Sequence, residues 1–140
     1  DVVMMTNSVA NNGNPFGAMD YRKNKGKILK TGVGILEYDG GVSYHGKCFV
    51  IDDRLSSIGS FNWDMRSAYL DTELMLVIDS ERLNEDMRLE MGEYEKMALT
   101  VVDEDTTLAP EGMTAQKTSL KDRLLTGIIS IFAGWARFLM

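Results

Sequence analysis

Taken as a succession of apolar and polar positions, the chain opens with a short apolar run, Val2 to Thr6, that predicts a buried strand. Asn7 to Pro15 carries four asparagines and Gly13, a composition that favours a loop. Phe16 to Lys30 has the make-up of a helix, weakened by Gly26 and stopped by Thr31-Gly32. Val33 to Tyr38 returns to strand, and the resulting β-α-β unit implies parallel pairing. Asp39-Gly40-Gly41 turns the chain into Tyr44 to Ile51, a mostly buried strand. Asp52-Asp53-Arg54 then reverses it into a second strand, Leu55 to Phe61. An irregular segment follows Asn62, and Glu73 to Ile78 is a further apolar strand.

Ser80 suits an N-cap, with Glu81 well placed in a first helical turn. Leu83 to Leu99 continues as a helix, with Leu83, Met87, Met91, Tyr94 and Met97/Ala98 at helical spacing. Asp103 to Lys117 has no apolar period and contains Pro110 and Gly112, so it reads as a linker. Leu120 to Met140 predicts an amphipathic helix. Leu124, Ile128, Ile131, Trp135 and Phe138 line one side of it; Arg123, Thr126, Ser130 and Arg137 line the other. Five strands and two helices ahead of that terminal helix fit an α/β layer architecture, a mixed β-sheet flanked by helices.

Composition changes this picture little, and charge changes it more. A length of 140 residues, 44% hydrophobic and 26% charged, suits one ordinary globular domain with a core. A single cysteine excludes an internal disulfide framework. The net charge of -6 is uneven: residues 71 to 105 hold twelve acids against three bases, residues 1 to 45 five bases against four acids. A nucleic-acid binder more often shows a basic stripe, so the balance weighs against DNA or RNA. The cluster Arg22, Lys23, Lys25, Lys27 and Lys30 is most simply a solvated helix face. Against anionic lipid, each such base would contribute about 1 kcal/mol. The chain starts at Asp1, without a methionine and already on a strand, which reads as a cut in a longer protein.

The chemistry concentrates between Tyr44 and Asn62. Period-2 alternation puts His45 and Lys47 on one strand face, and Asn62 comes near them from the adjacent strand. An imidazole, a cation and an amide donor together suit a phosphate diester: a nucleophile or proton carrier with two groups for the phosphoryl oxygens. Cys48 alternates away from that face and reads as a packed thiol. One histidine and one cysteine make no metal site.

His45, Lys47, Asp52, Gly59, Ser60 and Asn62 fill the pattern HxKx4Dx6GSxN, and the stretch resembles the phospholipase D superfamily. Further matches lie in Asn62-Trp-Asp-Met-Arg-Ser67 and Asp71-Thr-Glu73, with a weaker one in Asp1 to Ser8, so the resemblance covers about residues 1 to 80. Cardiolipin synthase-like members commonly carry asparagine where Asp71 stands. The resemblance implies a phospholipase D-like half domain over residues 1–102, followed by the linker at 103–118 and the amphipathic helix at 119–140. It also implies a ping-pong reaction needing no metal or cofactor: one histidine attacks phosphorus, a second protonates the leaving alcohol, and water or another alcohol collects the phosphoryl group. The catalytic set it implies is His45, Lys47, Asp52 and Asn62, with Ser60, Glu73 and Gly59 binding phosphate or supporting it. Glu73 resembles an acid that orients the partner histidine. Asp52, at a strand end, reads as a structural ion-pair or hydrogen-bond partner rather than a proton donor, and Arg66 as a pin for the loop after Asn62.

A lone histidine is usually structural, and Asp71 and Glu73 could simply be solvated. The company of Lys47, Ser60 and Asn62 at these spacings is what favours catalysis for His45. Two histidines are needed and the chain holds one. The second half must come from upstream in the full-length chain or from a homodimer mate. The expectation is therefore a cardiolipin synthase-like phosphatidyltransferase or phospholipase in which this chain is the C-terminal half and His45 the general acid/base. Its substrate would be phospholipid, and its place a membrane surface on the cytoplasmic face, reached through residues 119–140. That helix would alternatively pack on the missing half; its apolar run is shorter than the ~20 residues a span needs. The rival readings are a metal-independent homodimeric endonuclease and a non-catalytic half that binds lipid or a partner.

Overall fold

A computed structural model describes residues 1–117, so the predicted helix at 119–140 lies outside the described residues. The elements in order are β1 (Val3–Asn7), α1 (Pro15–Leu29), β2 (Gly34–Tyr38), β3 (Cys48–Ile51), β4 (Leu55–Gly59), α2 (Met65–Tyr69), β5 (Met75–Asp79), α3 (Glu81–Glu95), β6 (Ala98–Val101) and β7 (Thr107–Leu108). They form an α/β fold, divided among the described residues into one unit of 1–44 with 94–117 and another of 45–93.

The first unit is a mixed sheet in the order β1-β2-β6-β7. As the β-α-β reading requires, β1 and β2 run parallel, with Val3 opposite Gly34 and Asn7 opposite Tyr38. Asn14 caps α1 by accepting from the Phe16 and Gly17 amides, with Pro15 at the first helical position. The helix ends where Gly32 takes a positive φ of 86°. Ala18 and Met19 of α1, Ile35 and Tyr38 of β2, and Ala98, Leu99 and Val101 of β6 make the core.

Three expectations for this unit are corrected. The helix predicted to run to Leu99 stops at Glu95, and Ala98–Val101 is a strand antiparallel to β2. Met97 to Val102 is nearly unbroken apolar sequence, which fits a buried strand as well as a helix, and pairing with β2 decides between them. The stretch read as linker carries β7, and Gln116 donates from its side-chain Nε2 to the Asp39 carbonyl at 2.8 Å and from its backbone N–H to the Asp39 carboxylate at 2.7 Å. Lys25 is not on a solvated face. Its ammonium lies 2.8 Å from Glu37 Oε1, with both side chains over nine-tenths buried. Tyr21, one helical turn earlier, donates to the same carboxylate at 2.7 Å. Burial first, then Glu37, pushes the Tyr21 phenol up.

Asn7 decides the path of the chain after Gly41. Its side chain accepts from Tyr44 N at 2.7 Å and donates to Tyr44 O at 2.7 Å. Both backbone groups of Tyr44 are thus satisfied by an amide side chain instead of a neighbouring strand. This is why the strand predicted from Tyr44 begins only at Cys48. Asn11 braces the arrangement, donating to Asn7 Oδ1 and to the Val42 carbonyl. Tyr38, Tyr44 and Tyr94 pack as an aromatic trio, with Tyr44 and Tyr94 centroids 4.8 Å apart.

The second unit is the antiparallel sheet β3-β4-β5 with α2 and most of α3. Asp52 turns the β3–β4 hairpin at a positive φ of 48°, a conformation aspartate tolerates better than most residues. From α3, the fully buried Asn84 donates to the Leu55 carbonyl at 2.7 Å, and Arg88 donates to the Asp52 carbonyl. Ser80 caps α3 as predicted, accepting from the Leu83 amide at 3.3 Å. The irregular segment expected after Asn62 contains α2, capped by Asp64, which accepts from Ser67 N at 2.7 Å.

Removing one partner of a buried ion pair strands the other. Lys25→Ala is expected to lower the free energy of unfolding by about 3 kcal/mol in urea titration. A loss under about 0.5 kcal/mol would show that Glu37 finds water instead.

Candidate active site

His45 and Lys47 lie just ahead of β3, not on it. They nevertheless meet: Lys47 Nζ stands 2.8 Å from His45 Nε2 and donates to the His45 carbonyl at 3.1 Å. An ammonium has protons only to give, so Nε2 presents its lone pair to Lys47. His45 is exposed and Lys47 half-buried. Burial pushes the Lys47 ammonium below its ordinary value, opposed by the carboxylates of Glu73 and Asp64.

Lys47 is held from β4. Its carbonyl accepts from Gly59 N at 3.0 Å, so the main-chain ladder of β3 and β4 runs one pair beyond the strand. Gly59 is there because nothing larger fits: a Cβ would overlap the Leu74 carbonyl oxygen and lie 2.9 Å from Met75 Cα. Ser60 follows. Its amide donates to the Leu74 carbonyl at 3.0 Å, its Oγ accepts from Leu74 N at 3.1 Å, and its hydroxyl donates to Glu73. The Ser60 hydroxyl first, and the Ser67 hydroxyl after it, hold the Glu73 carboxyl below its ordinary value, helped by the charges of Lys47 and Arg66. Glu73 and Lys47 are therefore electrostatic partners.

Asn62 is half-buried after β4, with its amide nitrogen 3.3 Å and its backbone nitrogen 3.2 Å from Ser67 Oγ. Arg66 pairs with Asp71 at 2.9 Å, bracing the same loop. The structure thus gathers His45, Lys47, Gly59, Ser60 and Glu73 at one end of the hairpin, with Asn62 tied to the adjoining loop. It does not bring Asp52 to them. Asp52 turns the opposite end, separated from Lys47 by the length of β3, roughly 15 Å for five residues. Asp64 and Ser67 lie in the matched stretch Asn62-Trp-Asp-Met-Arg-Ser67, but the sequence suggested a role for neither. Their spacing of three, an acceptor followed by an amide it can cap, was the available signal. Among the described residues no group of three or more His, Cys, Asp or Glu side chains is placed to hold a metal ion.

The family model described as "Cardiolipin synthase, PLD-like domain" matches residues 1–94, which extends the resemblance through most of α3. The chain belongs to this family. Cardiolipin synthase C of Escherichia coli is 33% identical over 113 residues, covering 67% of this chain and 24% of the relative. Cardiolipin synthase A of Erwinia tasmaniensis is 38% identical over 69 residues, covering 49% of this chain and 14% of that one. The chain thus spans between about a seventh and a quarter of the length of these curated relatives. The fold is also that of the phosphatidylserine synthase of Haemophilus influenzae Rd KW20, with a TM-score of 0.63 at 17% identity, over 99% of this chain and 35% of that one.

Within this PLD-like domain, two outcomes test the geometry. Gly59→Ala is expected to force β4 from β5 and cost about 2 kcal/mol in urea unfolding, since backbone rather than a flexible side chain blocks the new Cβ. A neutral result would mean that the strands separate freely. For Glu73, folding lowers the pKa, so its ionised form adds stability above its ordinary value of 4.5, and that gain is lost as pH falls through the lower folded value. Wild type should lose its stability margin over Glu73→Gln between about pH 6 and about pH 3 in parallel denaturant titrations. A margin constant across that window would detach Glu73 from its hydroxyl donors.

Proposed function

We propose that this chain is one half of the active site of a phospholipase D-type phosphatidyltransferase or phospholipase, cardiolipin synthase-like, working through a phosphohistidine. The observation that carries the reading is the 2.8 Å approach of Lys47 Nζ to His45 Nε2, on a hairpin whose next residues supply Ser60 and Asn62. In the first step a histidine of the partner half attacks phosphorus, its ring nitrogen forming the P–N bond as the P–O bond to the leaving alcohol breaks. His45, protonated at Nε2 once Lys47 has turned away from it, gives that alcohol its proton and is left neutral. In the second step His45 takes the proton of an acceptor alcohol or water, whose oxygen forms the new P–O bond as P–N breaks. Lys47 would turn from Nε2 to a phosphoryl oxygen, and the Asn62 amide would donate to another.

Two features support a phospholipid and a second half. Trp63 and Leu74, each 79% exposed, stand in the segment carrying Asn62, Ser67 and Glu73, apolar surface that the non-ionic part of a lipid would meet. On the three-stranded sheet, Leu76 and Val77 are exposed at 60% and 63% on opposite faces, and a partner half would cover one of them. Among the described residues no helix is long and apolar enough to cross a membrane. We place the protein at the membrane surface on the cytoplasmic side, where residues 119–140 would lie in the interface. Glu73 is read as the acid that orients the partner histidine, and Asp52 as a residue of the turn rather than of the chemistry.

The test uses the full-length protein with phosphatidylglycerol vesicles. His45→Ala is expected to lower turnover by about 10³-fold and Lys47→Ala by about 10²-fold, without loss of folding. Acid-labile phosphate should be trapped on the wild-type protein. Equal turnover by all three proteins would remove both residues from the mechanism.

A further inference from the structure

Ser67 is a buried residue, 5% exposed, on a helix whose other members are exposed or half-buried. A serine hydroxyl has two lone pairs and one proton. Both lone pairs are taken from the same residue: Asn62 donates its backbone N–H at 3.2 Å and its side-chain Nδ2 at 3.3 Å. The Ser67 hydroxyl also helps to hold the Glu73 carboxyl below its ordinary value, after that of Ser60. With the Asn62 backbone N–H on one lone pair and Nδ2–H on the other, Ser67 accepts from Asn62 twice, and the amide turns its nitrogen toward Ser67. Its Oδ1 and second N–H are left for other partners. Asp64 locks Ser67 in turn by accepting from its backbone N–H at 2.7 Å.

We propose, on the strength of the phosphodiester reading above, that Ser67 is a positioning residue whose hydroxyl sets which way the Asn62 amide faces the phosphoryl group. Ser67 touches no substrate. It acts by removing the choice between the two faces of an amide whose oxygen would repel a phosphoryl oxygen and whose nitrogen would bind it. Its loss therefore falls on the transition state and not on lipid binding.

The experiment compares wild type, Ser67→Ala, Ser67→Thr and Ser67→Cys in the full-length protein on phosphatidylglycerol vesicles. Ser67→Ala should lower kcat by about 10- to 100-fold with KM within about twofold. Ser67→Thr, which keeps the hydroxyl, should return to within about fivefold of wild type. Ser67→Cys is a weaker acceptor of similar volume, and an intermediate loss in it decides the matter even if the alanine variant does not fold. In asparagine-labelled protein, the Asn62 side-chain amide signal, identified by its disappearance in Asn62→Asp, should move in Ser67→Ala. An unmoved amide signal, a kcat within about threefold of wild type, or a loss confined to KM would each overturn the proposal. A failure of the functional reading looks different: wild type and His45→Ala would then turn over phospholipid equally.

Discussion

Strand β4 runs so close to β5 at Gly59 that no side chain fits between them, and the second unit is arranged around that constraint. The Gly59 amide reaches back to the Lys47 carbonyl, extending the ladder to a residue outside the strand. Ser60 then comes level with Leu74, bonded to it through main chain and hydroxyl alike. Glu73, one residue earlier, falls under the Ser60 hydroxyl. A steric fact at one glycine thus sets where a cation, a hydroxyl and a carboxylate stand.

The electrostatics that result are those of a shared charge rather than a simple ion pair. Lys47 loses solvent on one side, which lowers its affinity for a proton, while Glu73 and Asp64 restore part of it. Glu73 in turn is held mainly by hydroxyls and only secondarily by Lys47 and Arg66. A carboxylate satisfied by neutral donors leaves the lysine less tightly bound to it, and so freer to meet an incoming anion. Asp71 adds to this balance. Where cardiolipin synthase-like members commonly carry asparagine, this chain places a second carboxylate, which engages Arg66 at 2.9 Å and shares it with Glu73.

Asn7 substitutes a side-chain amide for a strand at Tyr44, and the residue after Tyr44 is the histidine. That substitution was hidden in a segment whose asparagines look like ordinary loop formers. The burial of Lys25 was hidden for a similar reason. Five bases within nine residues suggest a wet helix face, and only the position of Glu37 on β2 shows that one of them turns inward.

Period, spacing and turn chemistry along the chain were enough for the α/β class, the β-α-β unit and the β3–β4 hairpin, because each depends on residues near one another in sequence. The cap at Ser80 and the stop at Gly32 were legible for the same reason. His45 and Lys47 meet, but ahead of β3 and not on the shared strand face that alternation predicted. What tertiary structure decided was long-range. Ala98–Val101 became strand instead of helix because β2 was there to pair with it. Asp52 went to the far end of the hairpin because a turn of positive φ needed a residue that accepts it. Ser67 joined Asn62 because a hydroxyl with two acceptor positions could take both its backbone N–H and its Nδ2. Local pattern specifies elements and their faces, whereas which polar groups satisfy one another depends on distances that exist only once the chain has closed.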